Sequence, residues 1–272
     1  MDRSSIAIVG VGAMGGALFS GLLEAGWEQA DLTLIESHPP RAEELAETSG
    51  CRTVLTPAEG IEGQEIVVLA VKPQDIHPAL AQLSEVMTAD QVLVALVAGV
   101  PISVYERALG EVPIIRAMPN TPALVGEGVT VCAPGSTAES GHMALARAVL
   151  EAAGLVEEVE ESLMDAVTAV SGSGPAYAYA LAEAMIAEGV KQGLEPEVAL
   201  RLVARTIKGA GTMMETSPDS PTVLRERVAS PGGTTAAALE VMGRDGFWEL
   251  VRQAVEAATE RSKELGKIAA QP

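Results

Sequence analysis

Hydrophobic residues in the first 160 positions occur mostly in short unbroken runs, separated by stretches rich in helix-forming residues. The runs are built from Val, Ile and Leu, as expected for strands that are buried on both faces of a parallel sheet. They predict strands at 6–9, 32–35, 66–71, 92–97, 114–116, 129–132 and 156–159. Helices are predicted at 14–25, 40–48, 73–87 and 138–153. This alternation indicates a doubly wound α/β domain.

The pattern changes after about residue 160, where apolar residues begin to recur at helical spacing instead. Between 196 and 214 they share one stripe that includes Leu200, Val203 and Ile207, and Val251 and Val255 belong to a similar stripe in the last helix. Gly, Pro and Ser interrupt the helices at 171–175, 193–196, 217–221 and 230–233. We therefore predict two domains, an α/β domain at 1–160 and an all-α domain at 161–272.

A glycine-rich loop follows the first predicted strand and opens the first helix. Gly10, Gly12 and Gly15 form the pattern G-x-G-x-x-G, with Val11, Ala13 and Met14 between them. In this strand–loop–helix context the pattern is typical of dinucleotide binding. The first glycine permits the tight turn, the second lets a pyrophosphate approach, and the third allows close helix–strand packing. Free N–H groups at the helix start would then hold the phosphates.

The residues after the second predicted strand bear on the choice between NADH and NADPH. Glu36 lies about twenty residues beyond the loop, where an acidic side chain hydrogen-bonds the ribose hydroxyls and repels a 2′-phosphate. Ser37, His38 and Arg41 follow at once and could receive that phosphate. The sequence therefore leaves both cofactors open.

Two further segments follow predicted strands, at the sheet edge where ligands bind in open α/β folds. The first is Ala70-Val71-Lys72-Pro73. Its lysine is a candidate for a catalytic role, although a solvated loop lysine is the simpler interpretation. In the second, at 116–122, two prolines bracket Asn120 and Thr121 in a rigid turn. We expect the Asn120 amide to meet the nicotinamide or its ribose.

Two loops in the helical half place small residues and hydroxyls directly before alanine-rich helices. They are Ser171-Gly172-Ser173-Gly174-Pro175 and the run from Ser230 through Gly232, Gly233, Thr234 and Thr235. Either loop alone is ordinary helix capping. Together they offer backbone N–H groups that would bind a small carboxylate without a basic side chain.

Composition narrows the classes of partner. The formal charge of −19 disfavours nucleic acid and anionic membranes, so neither is expected. The longest apolar runs are far shorter than the ~20 residues that cross a bilayer. The first residues show no secretory pattern, and Cys51 and Cys132 lack ligand spacing, which predicts free thiols in a cytoplasmic protein. The three histidines do not form a metal-binding pattern, and no metal is expected.

At this point the sequence resembles the pyrroline-5-carboxylate reductase family over nearly its whole length. The resemblance is carried by the glycine loop, the two strand-end segments, the two serine–glycine loops, Ala98-Gly99-Val100 and Asp165-Ala-Val167. It implies a Rossmann domain followed by a helical dimerisation domain, with an active site between the domains of a homodimer. Larger rings of dimers occur in some members. The implied reaction is NADPH- or NADH-dependent reduction of 1-pyrroline-5-carboxylate to L-proline, the last step of proline biosynthesis.

The resemblance also implies roles for individual residues. Thr235 is the hydroxyl expected near the ring nitrogen, and Glu161 matches an acidic position close to the substrate in some relatives. The two serine–glycine loops are expected to hold the substrate carboxylate. Ala70, Val71, Lys72, Pro73, Ala98, Gly99 and Asn120 are expected to contact the cofactor. Arg227 is a departure from the family, and it either adds a cation for the carboxylate or pairs with Glu226.

Two rival functions share part of this pattern. A β-hydroxyacid dehydrogenase also joins a Rossmann domain to a helical one, but it needs a catalytic lysine early in the helical half. Here the first lysine of that half is Lys191, after a long helix. A non-catalytic nucleotide-binding module would not need both anion-binding loops.

Overall fold

A mixed sheet with helices on both faces forms the first half of the chain. The computed structural model describes residues 4–271. The strands are β1 (Ile6–Val9), β2 (Leu32–Ile35), β3 (Arg52–Val54), β4 (Ile66–Leu69), β5 (Val92–Ala95), β6 (Ile114–Met118), β7 (Gly128–Pro134) and β8 (Gly154–Glu158). They lie in the order β3-β2-β1-β4-β5-β6-β7-β8, and only the β6–β7 pairing is antiparallel in the described part of the chain.

The helices of this half alternate with the strands. They are α1 (Ala13–Glu24), α2 (Pro39–Ser49), α3 (Pro57–Gly60), α4 (Ile76–Ser84), α5 (Ile102–Leu109), α6 (Ser140–Leu150) and α7 (Met164–Val167). Alternate side chains of each central strand enter opposite cores. Ile6 and Ile8 of β1 lie in the core that includes residues of α1 and α6, whereas Ala7 and Val9 lie in the core that includes residues of α4 and α5. The predicted α/β class is therefore confirmed.

The strand order reverses direction at β1, which pairs with β2 on one side and β4 on the other. Ile8 is in register with Leu34 of β2 and with Val68 of β4. In open α/β sheets, ligands bind outside the carboxyl ends of the strands at such a switch point. The glycine loop leaves β1 at this place, and the segments after β2 and β4 flank it.

The second half is helical as predicted. Its helices are α8 (Gly174–Lys191), α9 (Pro196–Thr216), α10 (Pro221–Arg227), α11 (Thr234–Arg244) and α12 (Phe247–Ala269). Among the described residues, no helix combines the length and the hydropathy needed to cross a bilayer.

The chain forms two compact units. One contains the residues up to Ser173 and those from Ala258 onward, and the other is Gly174–Ala257. This division differs from the predicted boundary at 160/161 because residues just after that point pack on the sheet. Met164 is buried in the core that contains α4 and α5, and Asp165 Oδ1 accepts a 2.6 Å hydrogen bond from Ser262 Oγ.

Several local elements differ from the sequence prediction. The edge strand β3 and the helices α3 and α5 were not predicted. β3 has only three residues, none of them buried, so it produces no apolar run. The helix predicted at 73–87 is instead a short 3-10 turn, Pro73–Asp75, followed by α4.

Candidate active site

The glycine loop is shaped by two close approaches of backbone to backbone. Gly10 has φ +88, a left-handed conformation that favours glycine. A Cβ atom added at Gly15 would lie 2.1 Å from the carbonyl oxygen of Gly10, and one added at Gly10 would lie 3.0 Å from the carbonyl oxygen of Ala70. Both positions therefore need glycine to bring α1 against β1 and β4.

Gly12 has the opposite surroundings. A Cβ atom at this position would meet nothing within 4 Å, so open space lies directly before it. Gly12 is also the N-cap of α1, which has no side-chain cap hydrogen bond and no acidic residue in its first turn. The first N–H groups of α1 thus lack a competing side-chain acceptor. The shape of the loop suits the pyrophosphate of a dinucleotide, and the contacts of Gly12, Ala13 and Met14 with it stay predictions.

Two cavities flank the loop. The first, of about 220 Å³, opens between the ends of β1, β2 and β4, and is lined by Val9, Gly10, Ile35, Glu36, Ser37, Leu55, Pro57, Val71, Asp75, Pro78, Ala79 and Gln82. The second, of about 450 Å³, is lined by Val11, Gly12, Ala13, Gly16, Ala17, Ser20, Arg41 and Leu124. The structure therefore brings Gly10, Glu36, Ser37 and Val71 together, and it places Arg41 in the other cavity.

The segments after β4 and β5 lie at the same edge of the sheet. Ala70 continues from β4, where its N–H donates a 2.8 Å hydrogen bond to Val9 O. Lys72 is exposed and precedes the short 3-10 turn that begins at Pro73. After β5, Ala98 is exposed and Gly99 is buried with φ +74. These positions agree with the predicted cofactor edge, and their contacts with a cofactor stay predictions.

Asn120 lies after β6, and both polar atoms of its side chain bond to the protein. Its Nδ2 donates a 3.1 Å hydrogen bond to Ser171 O. Its Oδ1 accepts a 3.0 Å hydrogen bond from the N–H of Val129 at the start of β7. The amide therefore bridges the sheet and the serine–glycine segment. A contact with the nicotinamide would have to be made beside these two bonds.

Glu161 is held by a buried arginine. Its Oε1 accepts hydrogen bonds from Arg116 Nη1 at 2.9 Å and from the N–H of Ile102 at 2.6 Å. The Arg116 side chain is 8% exposed and that of Glu161 is 35% exposed. Both line a cavity of about 550 Å³ with Gly99 and Asp165. Both of these bonds are made to Oε1 of Glu161.

Sequence reasoning assigned no role to Arg116, although it stands inside a buried strand. A fully buried arginine needs a partner, and a charge in the apolar run of β6 was the signal that could have identified it. The nearby Tyr105 is also buried, and its hydroxyl has no hydrogen-bond partner among the described residues. Burial raises the pKa of the Tyr105 phenol, so the group is neutral across the working range of pH.

The segment 168–173 is an irregular turn of helix. Residues Thr168–Gly172 form a π-helical turn, in which Ser171 Oγ donates a 3.0 Å hydrogen bond to Val167 O and Ser173 N donates a 2.8 Å bond to Thr168 O. Such turns are frequent at functional sites. A Cβ atom at Gly172 would lie 2.6 Å from Met118 Cε, the end of a flexible side chain that could move aside.

The remaining predicted residues belong to the other compact unit. Gly174 and Pro175 begin α8. Gly232 has φ +70, and Gly233 is the N-cap of α11 with no side-chain cap hydrogen bond. Thr234 is exposed and Thr235 half-buried at the start of that helix. The loop thus offers backbone N–H groups at a helix start, as predicted for a carboxylate site.

Arg227 has a different partner from the one that the sequence suggested. It pairs with Asp219, and Glu226 is instead approached by Arg225 at 3.9 Å. Ser217 Oγ accepts a 3.1 Å hydrogen bond from Asp219 N. The Arg227 charge is therefore already balanced within this unit, and the suggested Glu226 pair was wrong.

Comparison with known proteins gives one consistent family. Residues 161–265 match the family model for pyrroline-5-carboxylate reductase dimerisation, and residues 5–99 match the model described as NADP oxidoreductase coenzyme F420-dependent. The pyrroline-5-carboxylate reductase of Mycobacterium tuberculosis is 42% identical over 96% of both chains.

Solved structures agree with the sequence comparison. A pyrroline-5-carboxylate reductase from Coxiella burnetii has a TM-score of 0.91 at 33% identity, over 97% of this chain and 99% of that one. The Plasmodium falciparum pyrroline carboxylate reductase with NADP bound has a TM-score of 0.87 at 31% identity, over 98% and 99% of the two chains.

Proposed function

This chain belongs to the pyrroline-5-carboxylate reductase family, and we propose how its residues divide the work of that reaction. It is an NAD(P)H-dependent oxidoreductase that reduces 1-pyrroline-5-carboxylate to L-proline. The observation that carries the site proposal is the loop at the switch point, where open space before Gly12 meets an uncapped helix start. The cofactor fits there, and the proposed roles of the other site residues depend on this placement.

The cofactor is held by its phosphates and its adenosine end. Gly10, Gly12 and Gly15 bring α1 to the pyrophosphate, with N–H groups from the first turn of the helix. Glu36, Ser37 and Val71 line the cavity between the ends of β1, β2 and β4, which we call the adenosine-side cavity. The nicotinamide end of the cofactor is then bordered by the segments after β4 and β5, with Ala70, Lys72, Pro73, Ala98 and Gly99. When bound, the reduced nicotinamide supplies a hydride to the imine carbon.

The substrate is held by backbone groups instead of basic side chains. We assign its carboxylate to the segments Ser171–Pro175 and Gly232–Thr235, where the N–H groups of Gly174, Thr234 and Thr235 lie at the starts of α8 and α11 and anions bind at helix starts. A chain with a formal charge of −19 gains from this arrangement, since the global field opposes anions. The Thr235 hydroxyl donates a hydrogen bond to the ring nitrogen or accepts one from its protonated form. Alignment of the reacting atoms accounts for most of the acceleration.

Glu161 completes the substrate site as an oriented carboxylate. Arg116 and the Ile102 N–H fix one of its oxygens, so the other keeps a constant direction. Arg116 balances the charge of Glu161, and Lys263 and Lys267 line the same cavity, so we assign Glu161 the role of a hydrogen-bond acceptor for the substrate. Arg116 acts through Glu161 and is a positioning residue.

The helical half is proposed to pair with a second copy of the chain. Its helices leave large apolar side chains exposed, including Tyr179 of α8, Met213 of α9 and Leu250 of α12. Among the described residues of α8, α10 and α11 none is buried. Exposed apolar surface on this scale is typical of an interface. We propose a homodimer, which can assemble further into a ring of dimers, with residues 161–272 as the dimerisation and substrate domain.

The two cysteines bear on the cellular compartment, and Lys191 bears on the rival function. Cys51 and Cys132 are free and buried, which suits a reducing compartment, and we propose that the protein acts in the cytoplasm. Lys191 does not suit the rival β-hydroxyacid chemistry, since its side chain is 75% exposed and pairs with Glu188.

The decisive assay follows NADH and NADPH oxidation by the nicotinamide absorbance, with and without 1-pyrroline-5-carboxylate. Substrate-dependent oxidation with L-proline as product is expected. Binding of both cofactors without any turnover would refute the reductase assignment and leave a nucleotide-binding module. Light scattering of the same sample measures the mass, and a monomer at assay concentration would refute the dimer.

A further inference from the structure

The adenosine-side cavity carries acidic side chains and no basic one among the described residues. Its lining includes the carboxylates of Glu36 and Asp75. Apolar side chains, including Leu55, Pro57 and Pro78, supply much of the rest. Such a surface suits an adenine ring and a neutral ribose diol. It does not suit a phosphate that carries close to two negative charges.

Glu36 is fixed in direction by two backbone contacts. It follows β2, and its N–H donates a 3.0 Å hydrogen bond to Val54 O on the neighbouring strand β3. Its Oε1 accepts a 3.1 Å hydrogen bond from the N–H of His38. The side chain is thereby held at the end of β2, beside Gly10 in the cavity wall. An acidic group at this position hydrogen-bonds the ribose hydroxyls and repels a 2′-phosphate.

Arg41, the permanently charged candidate for that phosphate, lies elsewhere. Arg41 lines the other cavity, with Gly12 and Ala13, and it is absent from the adenosine-side lining. Its Nη1 also pairs with Glu44 Oε2 at 2.7 Å. The N–H of His38 already donates to Glu36. Of Ser37, His38 and Arg41, Ser37 alone lines this cavity.

We propose that this chain selects NADH over NADPH, and that Glu36 is the residue that sets the preference. The proposal rests on the proposed function, because it takes this cavity as the site of the adenosine end. A 2′-phosphate there would face two carboxylates without a compensating cation. Repulsion between charges a few ångströms apart is enough for a preference of about tenfold or more.

Calorimetric titration of two cofactor fragments tests the preference without any turnover. ADP-ribose and 2′-phospho-ADP-ribose differ only in the phosphate and carry no nicotinamide. The full-length protein should bind ADP-ribose about tenfold or more tightly than its 2′-phosphate. Equal binding, or tighter binding of the phosphorylated fragment, would overturn the proposal. Failure of both fragments to bind would instead overturn the assignment of the cavity, and with it the proposed cofactor site.

Substitutions then test which residue is responsible. Glu36→Gln should narrow the ratio of the two dissociation constants at least threefold, because it removes the nearest repulsion but keeps the size. Glu47→Gln removes the same charge from an exposed position of α2 and should leave the ratio unchanged. Arg41→Ala should also leave it unchanged. A ratio that ignores Glu36→Gln, or a selective loss of the phosphorylated fragment in Arg41→Ala, would overturn the role of Glu36.

Discussion

The side-chain amide of Asn120 joins the sheet to the segment that precedes α8. Its Nδ2 lies 3.1 Å from the carbonyl oxygen of Ser171, and its Oδ1 lies 3.0 Å from the N–H of Val129. Ser171 belongs to the π-helical turn that ends at Gly172. One side chain therefore ties the start of β7 to the segment where the substrate carboxylate is proposed to bind.

Removal of this bridge should weaken substrate binding more than cofactor binding. A typical hydrogen bond contributes about 0.5–1.5 kcal/mol, so Asn120→Ala should raise KM for the imine acid about two- to tenfold. Asn120→Asp should do the same, since it replaces the donor that faces Ser171 O with an acceptor. Steady-state kinetics for both substrates check this. A raised cofactor KM with an unchanged substrate KM would instead support the nicotinamide contact expected from the sequence.

The buried Arg116 guanidinium depends on Glu161 for its charge partner. Glu161→Ala should lower the free energy of unfolding by about 1.5–3 kcal/mol, the range for hydrogen bonds to charged groups. Glu161→Gln keeps an acceptor for both donors and should cost less. Urea unfolding measures both. Glu157→Ala, at an exposed position of β8, is the matched control and should be neutral. Equal stability of the Ala variant and the control would contradict the account of this pair.

Thr235 is proposed to act on the ring nitrogen. Thr235→Ala should lower kcat tenfold or more, equivalent to about 1.4 kcal/mol of the barrier. Thr235→Ser keeps the hydroxyl and should restore most of the activity. The measurement is the rate of substrate-dependent NADH oxidation, together with the melting temperature of each variant. An unchanged kcat/KM in the Ala variant would remove Thr235 from the mechanism.

Two glycines of the loop should fail in different ways. Gly12→Val places its side chain in open space, so the protein should keep its melting temperature but lose cofactor binding. Gly15→Ala places a methyl group 2.1 Å from the Gly10 carbonyl oxygen, so it should destabilise the fold itself. Fluorescence titration with NADH and thermal unfolding separate the two effects. Undiminished NADH binding by Gly12→Val would show that the pyrophosphate lies elsewhere.

Stability should fall at alkaline pH partly because of a buried thiol. Burial raises the pKa of Cys132 from its ordinary 9.0 to about 12. The folded chain therefore keeps a proton that the unfolded chain releases above pH 9, and the stability gained below that pH is lost as pH rises. The loss from this residue is on the order of 1 kcal/mol at pH 10. Urea unfolding at pH 8 and 10 measures it, and Cys132→Ala should reduce the difference by that amount. An equal difference in wild type and variant would contradict the assignment.

The sequence alone determined the fold class and the family, and it predicted where the cofactor loop lies. Strands that are buried on both faces can be recognised as apolar runs, as at 66–69, because polar side chains are disfavoured on either face. Gly10 and Gly15 are required by close contacts with the backbone, whereas Gly12 keeps open space in front of the helix start, and together they identify the cofactor loop. The edge strand β3 escaped prediction because an exposed strand of three residues leaves no hydrophobic signal.

Only the tertiary structure decided which partners meet. Arg116 and Glu161 are 45 residues apart, and the fold brings them to 2.9 Å because β6 and β8 flank β7 and run in opposite directions, so the turn after β8 returns to the level of Arg116. Arg41 follows Glu36 closely in sequence but lines another cavity, because α2 carries it away from the end of β2. Periodicity and local steric limits depend on residues that are close in sequence, so the sequence shows them directly. Charge pairing depends on where side chains point, and long-range packing decides that.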